Sequence, residues 1–284
     1  MTNIPLKKFL KTHLQDILTD KELEVLPKTI KIIGHVALLK IEPILEPHIV
    51  SISKLIQEWN NKIRTVAIQK EKSQYITRNV KYEIVYGEES TKTVHIENGI
   101  KYVLDPTEIT FSLGNQRERL RLYNMNLPNK IVIDMFACVG QFSFPVAIGA
   151  KPKEVISIEI NPKAFDYLIE GIKLNKIKNI TPILGDSRKV IPSNKADLII
   201  MGYLHSTHRY IQAALKGLKE QGGRIIMHIS VHNNEQLNEI TDYINKQLKI
   251  KNYEMIKLNY RFIKNYSPYV KHMAIDFSIK KSGE

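Results

Sequence analysis

Cysteine is almost missing from this 284-residue chain: Cys138 is the only one. That excludes an intrachain disulfide and a cysteine-rich zinc site, and it makes a reducing, cytoplasmic compartment the default expectation. No apolar run approaches the ~20 residues of a membrane span, so no membrane partner is expected. The opening stretch, MTNIPLKKFLKTHLQDIL, is amphipathic and carries an acidic residue. It has neither the apolar core nor the cleavage site of a secretory signal. Several catalytic signatures are also missing. There is no Walker lysine loop, no H-E-x-x-H and no Gly-x-Ser-x-Gly, which argues against kinases, zinc proteases and serine hydrolases. His205 and His208 stand close together after an apolar run, but no third ligand has a suitable spacing, so no metal is expected. Carboxylates are outnumbered, 29 against 42 lysines and arginines, for a formal charge of +13. Such a balance suits a polyanionic partner, most simply nucleic acid, although a lysine-rich proteome would produce it too.

What is present falls into two parts. Residues 1–110 read as a small α+β domain, expected to face RNA. Apolar periodicity predicts helices over 5–24 and 47–62, a strand pair or one bent strand around Gly34, and strands over 65–70, 82–87 and 93–105. Asn98-Gly99 between two alternating runs is a strong hairpin signal. Basic residues Lys70, Lys72, Arg78, Lys81 and Lys92 cluster around the loops. Residues 111–284 read as the catalytic domain. A helical linker over 111–125 carries Arg117, Glu118, Arg119 and Arg121. Strands follow at 131–134, 155–160, 180–186, 197–204, 223–231, 253–262 and 272–280, with helices at 162–175, 207–220 and 233–248 between them. Seven strands alternating with helices predict a doubly wound α/β sheet, the last two strands forming an antiparallel edge.

The most informative stretch is IVIDMFACVGQFSFPVAIGAKPKEVISIEIN, residues 131–161. A strand ends in Asp134, a small-residue loop runs from Ala137 to Gly140, a helix follows, and a second strand carries Glu159 near its end. The bare backbone of such a loop approaches a ligand closely, and a carboxylate at the end of the second strand can accept both ribose hydroxyls. The loop is not G-x-G-x-x-G, so a dinucleotide is disfavoured. The D-x-F-x-x-x-G pattern followed by an acid is that of class I S-adenosylmethionine (AdoMet) enzymes with a Rossmann-like fold. Asp186 and Ser187 would then meet the adenine edge, and Asp134 with Ala137 and Gly140 the methionine end. Nitrogen methyltransferases often carry N-P-P-Y or D-P-P-Y after the fourth strand. Here Met201-Gly202-Tyr203-Leu204-His205 keeps only a tyrosine, which can stack on a base. A cofactor site without the planar-nitrogen clamp suggests chemistry other than ordinary N-methylation.

Several segments together resemble one family: IIGHVALLKI (32–41), HIENGIKYVLDPTEITFS (95–112), NQRERLRL (115–122), VIDMFACVGQFSFPVA (132–147), MGYLHSTHRYIQAALKGLKEQGGRI (201–225) and IKNYSPYVKHMAIDFSI (263–279). Over residues 30–280 the chain resembles the archaeal wybutosine-synthesizing tRNA aminocarboxypropyltransferases, relatives of the tRNA guanine-37 N1-methyltransferases. The resemblance implies transfer of the 3-amino-3-carboxypropyl group of AdoMet to C7 of 4-demethylwyosine at tRNA(Phe) position 37, with the anticodon arm as partner. It implies that Ser112 and Arg119 hold the methionine arm, Glu159 the ribose, and Asp186 with Ser187 the adenine. Glu118 would be a base or a base-orienting group, and Tyr203 would help hold the target base. Methyl transfer, or a non-catalytic RNA-binding role on the same fold, remain as alternatives. The chain departs from the family's usual glycine at Cys138, where a positive φ would be strained. The short N-terminal part is expected to leave no room for the separate tRNA-elbow domain of some methyltransferase relatives, so that residues 1–110 and the basic surface would bind the anticodon arm.

A +13 protein that neutralises phosphates releases counterions. Binding of tRNA is therefore expected to fall steeply with salt. Neutralising Lys70, Lys72 and Arg78 together should flatten the slope of log affinity against log salt if the N-terminal domain touches RNA. A wild-type slope in that variant would move the RNA surface elsewhere.

Overall fold

A computed structural model describes residues 4–70 and 81–283. The chain divides into two compact units: residues up to 96 with 103–111, and residues 97–102 with 112 onward.

In the first unit a four-stranded sheet runs in the order β1 (Lys31–Ile33), β2 (Val36–Leu39), β3 (Thr65–Gln69), β4 (Tyr82–Gly87). Strands β2 and β3 are parallel, and the chain between them contains the helix Ile49–Trp59. That helix and Leu6–Leu14 bury Leu10, Leu14, Ile52 and Ile56 in one core with Ala37, Leu39, Val66 and Ile68. Gly34 turns β1 into β2 at φ 57°. A Cβ there would stand 1.9 Å from Thr93 Oγ1, so the position tolerates no side chain. The single helix expected over 5–24 is instead two, Leu6–Leu14 and Asp20–Glu24. Thr19 starts the second with a capping box: its hydroxyl accepts from Glu22 N, and the Glu22 carboxylate accepts from Thr19 N at 2.8 Å. Lys70 is paired with Glu83 at 2.9 Å. Lys72 and Arg78 lie outside the described residues. The hairpin forms as read, with β5 (Thr93–Glu97) and β6 (Ile100–Leu104) joined by Asn98 at φ 51° and Gly99 at φ 78°.

The second unit holds a seven-stranded sheet. Its strands are β7 (Ile131–Asp134), β8 (Glu154–Glu159), β9 (Ile180–Leu184), β10 (Leu198–Met201), β11 (Gly222–Val231), β12 (Tyr253–Ser267) and β13 (Val270–Lys281). Their spatial order is β12-β13-β11-β10-β7-β8-β9. The central strands are parallel, and β13 runs antiparallel to both β11 and β12. Alternation along the strands feeds two cores. Ile133, Ile199, Ile225 and Met227 pack with the helices Ile211–Gly217 and Asn234–Ile250, while Val132, Leu198, Ile200 and Ile226 pack with Val146, Ala147 and Leu122.

Chain progression reverses at β7. The strands β8 and β9 build to one side of it, and β10 and β11 to the other. This is the switch point where open α/β sheets bind ligands at their carboxyl ends. Strand β12 runs five residues past the expected end at 262, because it keeps pairing with β13 through three register shifts, down to Ser267 opposite Val270. The β12–β13 turn therefore lies beyond Val231, the last residue of β11, at the ligand edge of the sheet.

Candidate active site

The site is built on the carboxyl ends of β7 to β10. Asp134 ends β7 fully buried. One oxygen accepts from Phe136 N at 3.2 Å, the other from Ser143 Oγ at 2.8 Å, and Ser157 Oγ of β8 lies 2.8 Å from Ser143 Oγ. Burial pushes Asp134 up to about 6, only partly countered by Ser143. The loop that follows is fastened to β8: Ala137 N donates to Ile158 O at 2.9 Å, and Cys138 N donates to a Glu159 carboxylate oxygen at 2.6 Å. The second Glu159 oxygen accepts from Asn161 N at 2.8 Å. Burial raises Glu159 above the ordinary carboxylate range, while these backbone N–H groups pull it down.

Cys138 takes φ 51°, so the position does lie in the left-handed region that favours glycine. Burial pushes its thiol up to about 12. The residue is only half-buried, but a thiol held protonated is a poor nucleophile. Gly140, at φ 89°, closes the loop against the ring of Phe144, where a Cβ would stand 2.4 Å away. A tight loop bounded by one buried carboxylate, Asp134, and one half-buried carboxylate, Glu159, suits a cationic, hydroxyl-bearing ligand.

Asp186 follows β9 and caps the short helix Ser187–Val190, accepting from Arg188 N at 3.0 Å. The Arg188 side chain also pairs with the carboxylate, at 2.5 Å, and holds its pKa below the ordinary range. Ser187 is buried. Arg188 lies 5.1 Å over the Tyr210 ring. Tyr203, 43% exposed after β10, stacks on Phe136 at 5.4 Å.

The linker residues are arranged differently from a simple open clamp. Arg119 is buried, and its fork grips the Glu97 carboxylate through two 2.6 Å bonds. A third donor, Nη1, reaches Ser112 O at 3.0 Å. Ser112 N donates to Gln141 Oε1 at 3.2 Å, and Lys264 Nζ donates to the Ser112 hydroxyl. Arg119 thus fixes Ser112, and its fork is engaged by Glu97 in this arrangement. Glu118 is buried with both oxygens on Arg121, at 2.6 and 2.9 Å.

Sequence reasoning passed over Lys264, Gln141, Phe136 and the buried pair His228 and His272. His228 Nδ1 lies 2.9 Å from His272 Nε2, its ring stacks on Phe142, and burial pushes both imidazoles down to about 3, so both are neutral. A histidine inside the apolar run IIMHIS was the available signal for His228. Lys264 had none, because its partner Ser112 is 152 residues away. Among the described residues no group of three or more His, Cys, Asp or Glu could hold a metal ion. No described helix is long and apolar enough to cross a membrane.

Comparison with known proteins gives consistent results. The TRM5/TYW2 methyltransferase domain model matches residues 93–259, and the TYW2 N-terminal domain model matches residues 10–91. The tRNA(Phe) (4-demethylwyosine(37)-C(7)) aminocarboxypropyltransferase of Pyrococcus horikoshii is 38% identical over 96% of this chain and 98% of its own length. The crystal structure of P. horikoshii TYW2 in complex with MeSAdo superposes with a TM-score of 0.84 at 35% identity, covering 97% of this chain and all of that one. That of M. jannaschii TYW2 in complex with AdoMet superposes with a TM-score of 0.72 at 32% identity, covering 89% of this chain and all of that one.

Asp134 offers a test that needs no ligand. An acid raised from 3.8 to about 6 on folding keeps its proton in the native state where the unfolded chain has lost it. Native stability therefore declines as pH rises through that interval. Asparagine can still accept from Phe136 N and can donate to Ser143 Oγ. The ligand-free Asp134→Asn variant should melt above wild type at about pH 7.5, with the gap closing towards about pH 4. A deficit of equal size at both ends would show that the carboxylate carries no such penalty.

Proposed function

The chain belongs to the TRM5/TYW2 methyltransferase-domain family, and we propose that within it this enzyme transfers the 3-amino-3-carboxypropyl group of AdoMet to C7 of 4-demethylwyosine at position 37 of tRNA(Phe). The observation that carries the reading is a complete adenosine-type cradle beside a β10 end without the planar-nitrogen clamp. Asp134, the Ala137–Gly140 backbone and Glu159 converge at the switch point, and Met201-Gly202-Tyr203 stands where an amine methyltransferase would grip its nitrogen. AdoMet supplies a sulfonium that activates three attached carbons, and placement alone decides which one reacts.

In this reading Glu159 accepts from the ribose hydroxyls in addition to its two backbone donors. Ser187 and Asp186 meet the adenine edge, the latter once Arg188 yields part of its carboxylate. Asp134 and the loop backbone from Ala137 to Gly140 face the methionine end, where a buried anion favours a cationic ligand. Ser112, held by Arg119, Gln141 and Lys264, meets the α-carboxylate end of the arm, and Arg119 acts on it through this grip. With the arm fixed, Cγ is presented to the base. The C7–Cγ bond forms as the S–Cγ bond breaks, the electron pair goes to sulfur to leave methylthioadenosine, and C7 then loses its proton. Glu118, with both oxygens on Arg121, orients rather than abstracts. Tyr203 stacks on the target base. The substrate is the anticodon arm of a tRNA in the cytoplasm.

The product identifies the carbon attacked. The protein is incubated with tRNA bearing 4-demethylwyosine and with AdoMet, and the nucleoside mass and the spent cofactor are read. Methylthioadenosine with a gain of the aminocarboxypropyl mass is expected. S-adenosylhomocysteine with a gain of one methyl would assign the chain to the methyltransferase branch.

A further inference from the structure

Strand β12 is the free edge of the large sheet, and it is unusual for one. It is 15 residues long. Natural edge strands are kept short, charged or covered, because an exposed ladder of apolar residues invites aggregation. Here Phe262 is 54% exposed, Tyr266 40% and Tyr269 83%. Between Met255 and Ile275 the chain has four lysines and arginines, Lys257, Arg261, Lys264 and Lys271, and no carboxylate. Protection of an edge explains the cations. It does not explain rings left in water at the turn.

The turn also lies at the ligand edge and is joined to the cofactor site by aromatic contacts. Tyr210 meets Phe136 edge-on at 5.0 Å, and Phe136 stacks on Tyr203 at 5.4 Å. Tyr203 meets His205 at 6.3 Å, and His205 meets Tyr266 at 6.0 Å. Five rings run from Tyr210, whose face Arg188 covers, to the β12–β13 turn, which carries Tyr269. Lys264 ties the same strand to Ser112. Exposed rings interleaved with cations and free of anions are the chemistry that holds unpaired nucleotides: bases stack on the rings and phosphates meet the cations.

We propose that the β12–β13 turn and His205 form a stacking track for the unpaired nucleotides that flank the reacting base. Tyr266 and Tyr269 carry the bases, and Arg261 and Lys271 the phosphates. This rests on the tRNA reading above and adds to it a surface that decides how the neighbours of position 37 are held. A flipped base leaves its neighbours unstacked, and replacement platforms restore part of that loss.

The test uses the full chain and a tRNA carrying 2-aminopurine next to position 37, whose fluorescence is quenched by stacking. Tyr266→Ala with Tyr269→Ala should weaken tRNA binding by roughly five- to a hundredfold per ring. It should also abolish the binding-induced quench and leave affinity for methylthioadenosine unchanged. Tyr266→Trp with Tyr269→Trp should restore both tRNA readouts, since any aromatic face serves. Lys271→Ala should lower the slope of log affinity against log salt by about one. Unchanged methylthioadenosine affinity shows that the alanine variant is folded. If that folded variant binds tRNA and quenches like wild type, the track is wrong and the tRNA reading stands. If wild-type protein that binds methylthioadenosine binds no tRNA, the tRNA reading falls and the track with it.

Discussion

The cofactor edge depends on one carboxylate gripping a strained loop. Glu159 accepts from Cys138 N at 2.6 Å and from Asn161 N at 2.8 Å, and so sets both the loop after β7 and the start of the helix after β8. Holding a residue with a side chain in the left-handed region costs about 1–2 kcal/mol. A hydrogen bond to a charged acceptor contributes about 1.5–3 kcal/mol. The grip is of the size needed to offset the strain, and Cys138 can stand where glycine would be easier. The same carboxylate is partly desolvated, which raises its pKa. Two ribose hydroxyls would complete its shell. In the proposed reading the loop and the ligand are held by the same two oxygens.

A second constraint works on the linker. The Glu97–Arg119 pair is buried on both sides. Breaking such a pair costs about 3–5 kcal/mol, because it strands a charge. Arg119 is therefore rigid, and with Gln141 and Lys264 it immobilises Ser112 from three directions. In the proposed reading Ser112 meets the methionine arm, and its rigidity then bears on which carbon meets the base. Glu118 and Arg121 add a second charged pair on the same helix, and Arg121 lies 3.6 Å from Asp276 of β13.

Much of this was legible in the sequence, for physical reasons. Apolar runs marked the central strands of the sheet, because both of their faces are buried, one against each core. Asp134 and Glu159 were legible because an acid at the end of an apolar strand is costly without a partner. Asn98-Gly99 announced its turn through positive φ at both positions. Contacts between distant segments were not legible. The fork of Arg119 was expected on a ligand, and it grips Glu97, 22 residues back, a residue that reads as one more polar strand position. Lys264 sits where β12 outruns its apolar pattern, and backbone pairing alone extends the strand there. The split of the first helix was written in Thr19 and Glu22, a capping box that apolar periodicity overrode.

The account stands most directly on Glu159 as the acceptor for the ribose. Isothermal calorimetry of Glu159→Ala with AdoMet and with methylthioadenosine measures it, since both ligands carry the same ribose. Two hydroxyls losing a charged acceptor at about 1.5–3 kcal/mol each should weaken both ligands by roughly a hundredfold or more. Wild-type affinity for either ligand would contradict the placement of the ribose at the end of β8, and with it the adenosine site described above.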